Sequence, residues 1–101
     1  MRINVGAICI DEANRFVRIN GHSIETTTAE FELLFYLARH AGEILTRDRI
    51  YKGIRSIAWD GLERSIDLRI VRLRRKLGES GKQPKIIKTI RGEGYLLVAD
   101  P

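Results

Sequence analysis

The stretch from Asp60 to Leu77, DGLERSIDLRIVRLRRKL, sets the tightest limit on what this chain can fold into. Within it Ile66, Ile70, Leu73 and Leu77 recur at spacings of four, three and four, which places them in one stripe of a helix. That stripe demands a core, and the rest of the helix is left to solvent or to a partner. The ends are marked as well. Asp60 can cap the first turn with Glu63 completing a capping box, and Gly78 stands where a residue tolerant of positive φ is wanted. These signals predict a helix over 60–77.

The side of this helix away from the stripe collects Arg64, Leu68, Val71 and Arg75, flanked by Ser65, Asp67, Arg69, Arg72 and Lys76. It is basic with an apolar centre. From Glu63 to Leu77 there are six basic and two acidic residues, a local net charge of +4 out of +5 for the whole chain. Residues 82–91 add four basic groups and no acidic one, so everything else carries a net −3. Such a charge dipole turns the C-terminal half towards a polyanion. A merely solvated helix face mixes its signs. Five arginines around two exposed aliphatics instead suit a groove with phosphates on its walls and thymine methyls on its floor.

At 101 residues and 44% hydrophobic, the chain reads as one small domain over 1–101 with a single core. Its longest apolar run, Leu33 to Ala38, is far below the roughly 18 residues a membrane span needs, and no signal-peptide pattern follows Met1. The expectation is a soluble, cytoplasmic protein with no membrane partner. A single cysteine, Cys9, excludes an internal disulfide and a cysteine-based zinc site, and between Ile8 and Ile10 it reads as structural. His22 and His40 have no third ligand at metal-binding spacing, and no nucleophile motif, phosphate loop or paired carboxylates occur. Neither catalysis, metal nor cofactor is expected.

Taken in order, the chain predicts strands at Arg2–Val5, Ile8–Asp11, Arg15–Ile19 and His22–Glu25, with Asn20-Gly21 as a type I′ hairpin turn. Thr27-x-x-Glu30 is a capping box opening a first helix whose buried stripe is Phe31, Leu34, Leu37, Ala38 and Ala41, closed by Gly42. Glu30 lies at the edge of that stripe and should bond back to the cap or pair with an arginine. After a connector at Glu43–Leu45, Thr46 caps a second helix to about Gly53, with Ile50 and Tyr51 on its ridge. Residues 54–61 form a loop in which Trp59 reads as a packing anchor. Beyond Gly78 lies a polar segment, then strands Ile86–Ile90 and Tyr95–Val98 around the turn glycines of Arg91-Gly92-Glu93-Gly94. The whole describes an α+β winged helix-turn-helix: an N-terminal antiparallel sheet, three helices and a C-terminal β-hairpin wing.

Three blocks, TTAEFELLFYLARHAGEILTRDRI, RSIDLRIVRLRRKL and IIKTIRGEGYLL, give the chain a resemblance over nearly its whole length to the C-terminal effector domain of OmpR/PhoB-type response regulators. The resemblance implies sequence-specific binding of double-stranded DNA in transcription regulation. It also implies direct-repeat sites, a second copy in tandem, contact with RNA polymerase, and a receiver domain under a sensor histidine kinase in a longer regulator of which this chain is the effector part. By position, it implies that Arg64, Ser65, Arg69 and Arg74 contact phosphates and that Leu68, Val71 and Arg72 face bases. Thr46 and Arg47 match positions touching the DNA backbone, and Arg91 matches the wing residue that enters the minor groove. Helix N-termini and exposed arginines favour phosphate, and an arginine at a hairpin tip suits a narrow, negative groove.

The chain departs from the family pattern at two places. Thr26 stands where members usually have leucine before the capping threonine. Arg55 stands where they have tryptophan at the end of the second helix, with Trp59 displaced into the loop; Arg55 can supply a phosphate contact in place of the indole. Two other classes fit this sequence less well. An RNA-binding module needs exposed aromatics for stacking, whereas Phe31, Phe35, Tyr36, Trp59 and Tyr95 mostly occupy patterned apolar positions. A protein-binding winged helix does not need five arginines on one helix.

Overall fold

The computed structural model describes residues 1–54, 65–79 and 84–99. Four short strands, β1 (Arg2–Val5), β2 (Ile8–Asp11), β3 (Phe16–Ile19) and β4 (His22–Ile24), pair in sequence order as an antiparallel meander. Asn20 and Gly21 turn β3 into β4 with φ of 50° and 80°, the pair of positive values that a type I′ turn requires. β3 begins one residue later than the alternation predicts. Arg15 takes φ of 55° in the preceding turn, where Asp11 Oδ1 accepts the Asn14 N–H at 2.9 Å. β4 likewise stops at Ile24, one residue short of Glu25.

Helix α1 (Thr28–Arg39) opens on the expected capping box: Glu30 N–H donates to Thr27 Oγ1 at 3.1 Å, and Thr27 N–H to Glu30 Oε1 at 2.8 Å. Glu30 also finds a cation, but it is Lys76 of the third helix, at 3.7 Å, rather than an arginine. Phe31, Leu34, Leu37 and Ala38 are buried as their spacing demands, while Ala41 is only partly covered. Leu33 and Phe35 are buried too, because α1 packs against the other two helices and also against β1 and β6. Helix α2 (Arg47–Ile54) is capped by Thr46, whose Oγ1 accepts the Arg49 N–H at 3.1 Å. Gly53 lets it approach α1 closely, since a Cβ there would lie 2.3 Å from the Tyr36 ring.

Helix α3 (Ile66–Lys76) starts later than its sequence signals suggest. Ser65 is extended, with φ −76° and ψ 117°, and its hydroxyl accepts the Leu68 N–H at 3.1 Å. With residue 65 extended, α3 opens at Ile66 behind the Ser65 cap rather than running unbroken from the expected start at Asp60. Asp60 and Glu63, together with Arg55, Trp59 and Arg64, lie outside the described residues, as does the expected loop beyond Ile54. The stripe itself is buried throughout, with Ile70 and Leu73 fully so. Gly78 closes the helix at φ +76°.

Strands β5 (Ile87–Ile90) and β6 (Gly94–Leu97) form the terminal hairpin. The connector between α1 and α2 joins them. Leu45 N–H donates to Tyr95 O at 2.8 Å and Tyr95 N–H to Leu45 O at 2.9 Å, so the expected plain link supplies a one-residue third strand. Leu45, Ile87, Tyr95 and Leu97 are buried there, and the hairpin is thereby fastened into the same core as the helices.

Candidate nucleic-acid interface

On α3 the outward face is built as its helical wheel requires. Leu68 and Val71 are 40% and 44% exposed, with Arg72, Arg75 and Lys76 exposed around them. A buried stripe opposite an exposed one holds this face at fixed rotation, so the aliphatic pair and its cations are presented together. Ser65 sits exposed at the start of the same helix, and Arg91 is exposed at the hairpin tip between β5 and Gly92.

Two arginines expected as exposed phosphate contacts are not on this face. Arg69 and Arg74 are both 7% exposed. Arg74 lies under the hairpin: its Nε and Nη2 donate to Ile87 O at 3.1 and 2.7 Å, and Nη2 also donates to Thr89 Oγ1 at 2.8 Å. Arg74 stands four residues after Ile70 and three before Leu77, so it borders the buried stripe, and β5 folds back over that border. The free domain thus uses Arg74 to tie α3 to the wing.

A carboxylate completes the same tie. Glu79, just past Gly78, accepts the backbone N–H groups of Lys85, Ile86 and Ile87 at 2.9, 2.8 and 2.8 Å. In the sequence Glu79 reads only as part of a polar connector. The one hint was its place at a helix C-terminus, where the macrodipole disfavours an anion and a compensating partner is to be expected.

Asp67, in the first turn of α3, joins three elements. It accepts from Arg47 Nε of α2 at 2.6 Å and from the hydroxyl of Tyr95 of β6. Arg47 also lies over the Tyr95 ring, 5.4 Å from its centroid, and Arg74 lies 5.8 Å from the same centroid. The Tyr95 hydroxyl, and after it the Arg47 guanidinium, hold the Asp67 carboxyl below its ordinary range. Burial and the neighbouring carboxylate push the Tyr95 hydroxyl up, so at neutral pH Asp67 is the anion and Tyr95 the donor. Asp67 was legible only as a flanking acid on a basic helix. Thr46 and Arg47 are placed where expected, at the start of α2.

Among the described residues no group of three His, Cys, Asp or Glu side chains could hold a metal, and no helix is long and apolar enough to cross a membrane.

Residues 21–97 match the family described as transcriptional regulatory protein, C terminal. The chain is 46% identical over 94 residues to the transcriptional regulatory protein RstA of Escherichia coli K12, a match covering 93% of this chain and 39% of that protein. It is 46% identical over 74 residues to the alkaline phosphatase synthesis transcriptional regulatory protein PhoP of Bacillus subtilis, covering 73% and 31%. The chain therefore spans well under half the length of these relatives. Among solved structures, the RstA DNA-binding domain of Klebsiella pneumoniae in complex with the RstA box is similar with a TM-score of 0.86 at 42% identity, covering 97% of both chains. The C-terminal effector domain of BfmR from Acinetobacter baumannii gives 0.80 at 45% identity, covering 98% and 91%. A family match that takes in all three helices and the hairpin, on a fold shared from end to end, settles the kinship: this chain belongs to the winged-helix C-terminal domains of OmpR/PhoB-type transcriptional regulatory proteins.

Proposed function

We propose that this domain binds double-stranded DNA sequence-specifically, α3 entering the major groove and the hairpin tip the minor groove, and that it regulates transcription as the effector part of a two-component response regulator. The observation that carries this reading is the outward face of α3, where Leu68 and Val71 stand exposed among Arg72, Arg75 and Lys76. Isolated aliphatics in a ring of cations match a groove floor bordered by phosphates. The Klebsiella RstA domain, solved on its own DNA box, supports the same use of the fold here.

Leu68, Val71 and Arg72 are assigned to base edges, with Arg75 beside them. Thr46, Arg47 and Ser65 are assigned to phosphates at helix N-termini, and Arg91 to the minor groove. Arg55 and Arg64 are assigned to flanking phosphates on the family resemblance. Arg69 and Arg74, being buried, are assigned to the fold rather than to phosphate. The longer regulator is proposed to carry a receiver domain answering to a sensor kinase, and to act in the cytoplasm through tandem copies on direct repeats and through RNA polymerase.

If backbone charge is neutralised as assigned, log K falls linearly with log[salt], by about 0.9 for each phosphate contacted, with several contacts per domain. Fluorescence anisotropy at a series of salt concentrations reads this directly, and a flat response sinks the nucleic-acid reading. Base readout has its own signature. Arg72→Ala is expected to cost about 1–3 kcal/mol on the preferred site and to relax preference at one base pair, because only guanine offers the guanidinium both O6 and N7. A panel of single-base-substituted duplexes at fixed salt tests it. An equal loss on every member would return Arg72 to the backbone.

A further inference from the structure

The Arg47–Asp67 ion pair is about half exposed on both sides, 49% and 54%, and an exposed pair contributes little to stability. Its geometry says more than its energy. Asp67 takes Arg47 by Nε, the inner nitrogen of the guanidinium, so the ion pair leaves the outer edge with its terminal amino groups unused. That edge is the one that grips a phosphate in a fork. The support is itself fixed, because the Asp67 oxygen that accepts Nε also accepts the hydroxyl of Tyr95, a ring only 4% exposed and locked in the core. The flat guanidinium further rests against that ring.

We infer that Asp67, with Tyr95 behind it, is a positioning residue for DNA binding: it holds Arg47 in the orientation in which the outer edge of its guanidinium meets a backbone phosphate. This rests on the DNA-binding reading above. Asp67 touches no DNA in this account, and its own negative charge opposes binding. What it supplies is preorganisation of a side chain that would otherwise lose several freely rotating bonds on contact. It also couples the three DNA-facing elements, since Arg47 comes from α2, Asp67 from α3 and Tyr95 from the wing.

The experiment is a double-mutant cycle on the duplex that the wild-type chain selects from a random pool, read by anisotropy at several salt concentrations. Asp67→Ala is expected to weaken binding about tenfold, the effect of losing one charge-assisted hydrogen bond, equally on all duplexes, and to flatten the salt slope by about one phosphate. In an Arg47→Ala background the same substitution should weaken binding no further, and any change left is the slight gain from removing a carboxylate near the phosphates. Asp67→Asn, which keeps an oxygen acceptor for Nε, should bind within about threefold of wild type. Tyr95→Phe removes only the hydroxyl that steadies Asp67 and should also act only when Arg47 is present, so a failure of Asp67→Ala to fold leaves the question decidable. Losses that add across the cycle overturn the inference, as does tighter binding by Asp67→Ala in both backgrounds, the mark of simple charge repulsion. A wild-type chain that binds no duplex overturns the DNA-binding reading itself.

Discussion

Gly94→Ala is expected to destabilise the domain by about 3–5 kcal/mol, a large part of the roughly 5–15 kcal/mol that holds a small domain together. Gly94 has φ of +153°, and a Cβ built on it would lie 1.9 Å from the Leu45 carbonyl oxygen and 2.8 Å from its carbon. Both obstacles are backbone, so no rotamer change relieves them. The hairpin must move off the connector, and the two hydrogen bonds between Leu45 and Tyr95 break with it, each leaving buried polar groups at about 1–3 kcal/mol. At about 4–8 °C per kcal/mol for a domain of this size, the melting temperature should fall by at least 12 °C. Gly92→Ala is the control. It has φ of +78° but nothing within 4 Å of its Cβ, so only the left-handed backbone penalty of about 1–2 kcal/mol applies. Calorimetry of the two variants compares them, and equal losses would mean that the approach of Leu45 to Gly94 relaxes freely.

The contrast between these two glycines shows what a sequence makes legible. Gly92-Glu93-Gly94 reads as a turn with two permissive residues, and for Gly92 that is the whole of its role. What sets Gly94 apart is Leu45, forty-nine positions away in the chain. Features that depend on neighbours within one turn were legible: the Thr27–Glu30 capping box, the Asn20-Gly21 hairpin, and the stripe from Ile66 to Leu77, whose spacing leaves no other face to bury. The start of α3 was not, because Asp60 and Ser65 are both competent caps and periodicity cannot choose between them.

The candidate interface divides along the same line. The exposure of Leu68, Val71, Arg72 and Arg75 follows from the stripe opposite them, so locating the stripe located the face. Charged residues defeat this logic when another element folds over them, since charge predicts solvent and only tertiary contact can override it. Arg74, under β5, is such a case, and Asp67 is another in a different sense. Its charge is exposed, but its partners Arg47 and Tyr95 arrive from 20 and 28 residues away.

Arg74 offers the sharpest test of that distinction, because a phosphate contact and a wing anchor respond differently to lysine. An ammonium keeps the charge and most of the reach, so a phosphate contact survives the exchange with modest loss. It cannot reproduce the fork that places Nε and Nη2 together on Ile87 O while Nη2 also reaches Thr89 Oγ1. Arg74→Ala is expected to cost about 2–4 kcal/mol of stability, because it strips the buried Ile87 carbonyl of its donors and removes the stem packed beneath the hairpin. Arg74→Lys should still lose about 1–2 kcal/mol, which a contact made only with DNA does not predict for the free domain. Binding should follow the wing. With β5 loosened from α3, the loss in affinity should be greatest on duplexes with A·T-rich flanks, where the narrow groove rewards an inserted Arg91. Adding Arg91→Ala should then remove little more of that flank preference. The measurements are thermal melts of the free variants and titrations on duplexes differing only in their flanks. Arg74→Lys melting with the wild type while weakening every duplex alike would restore Arg74 to the phosphate backbone.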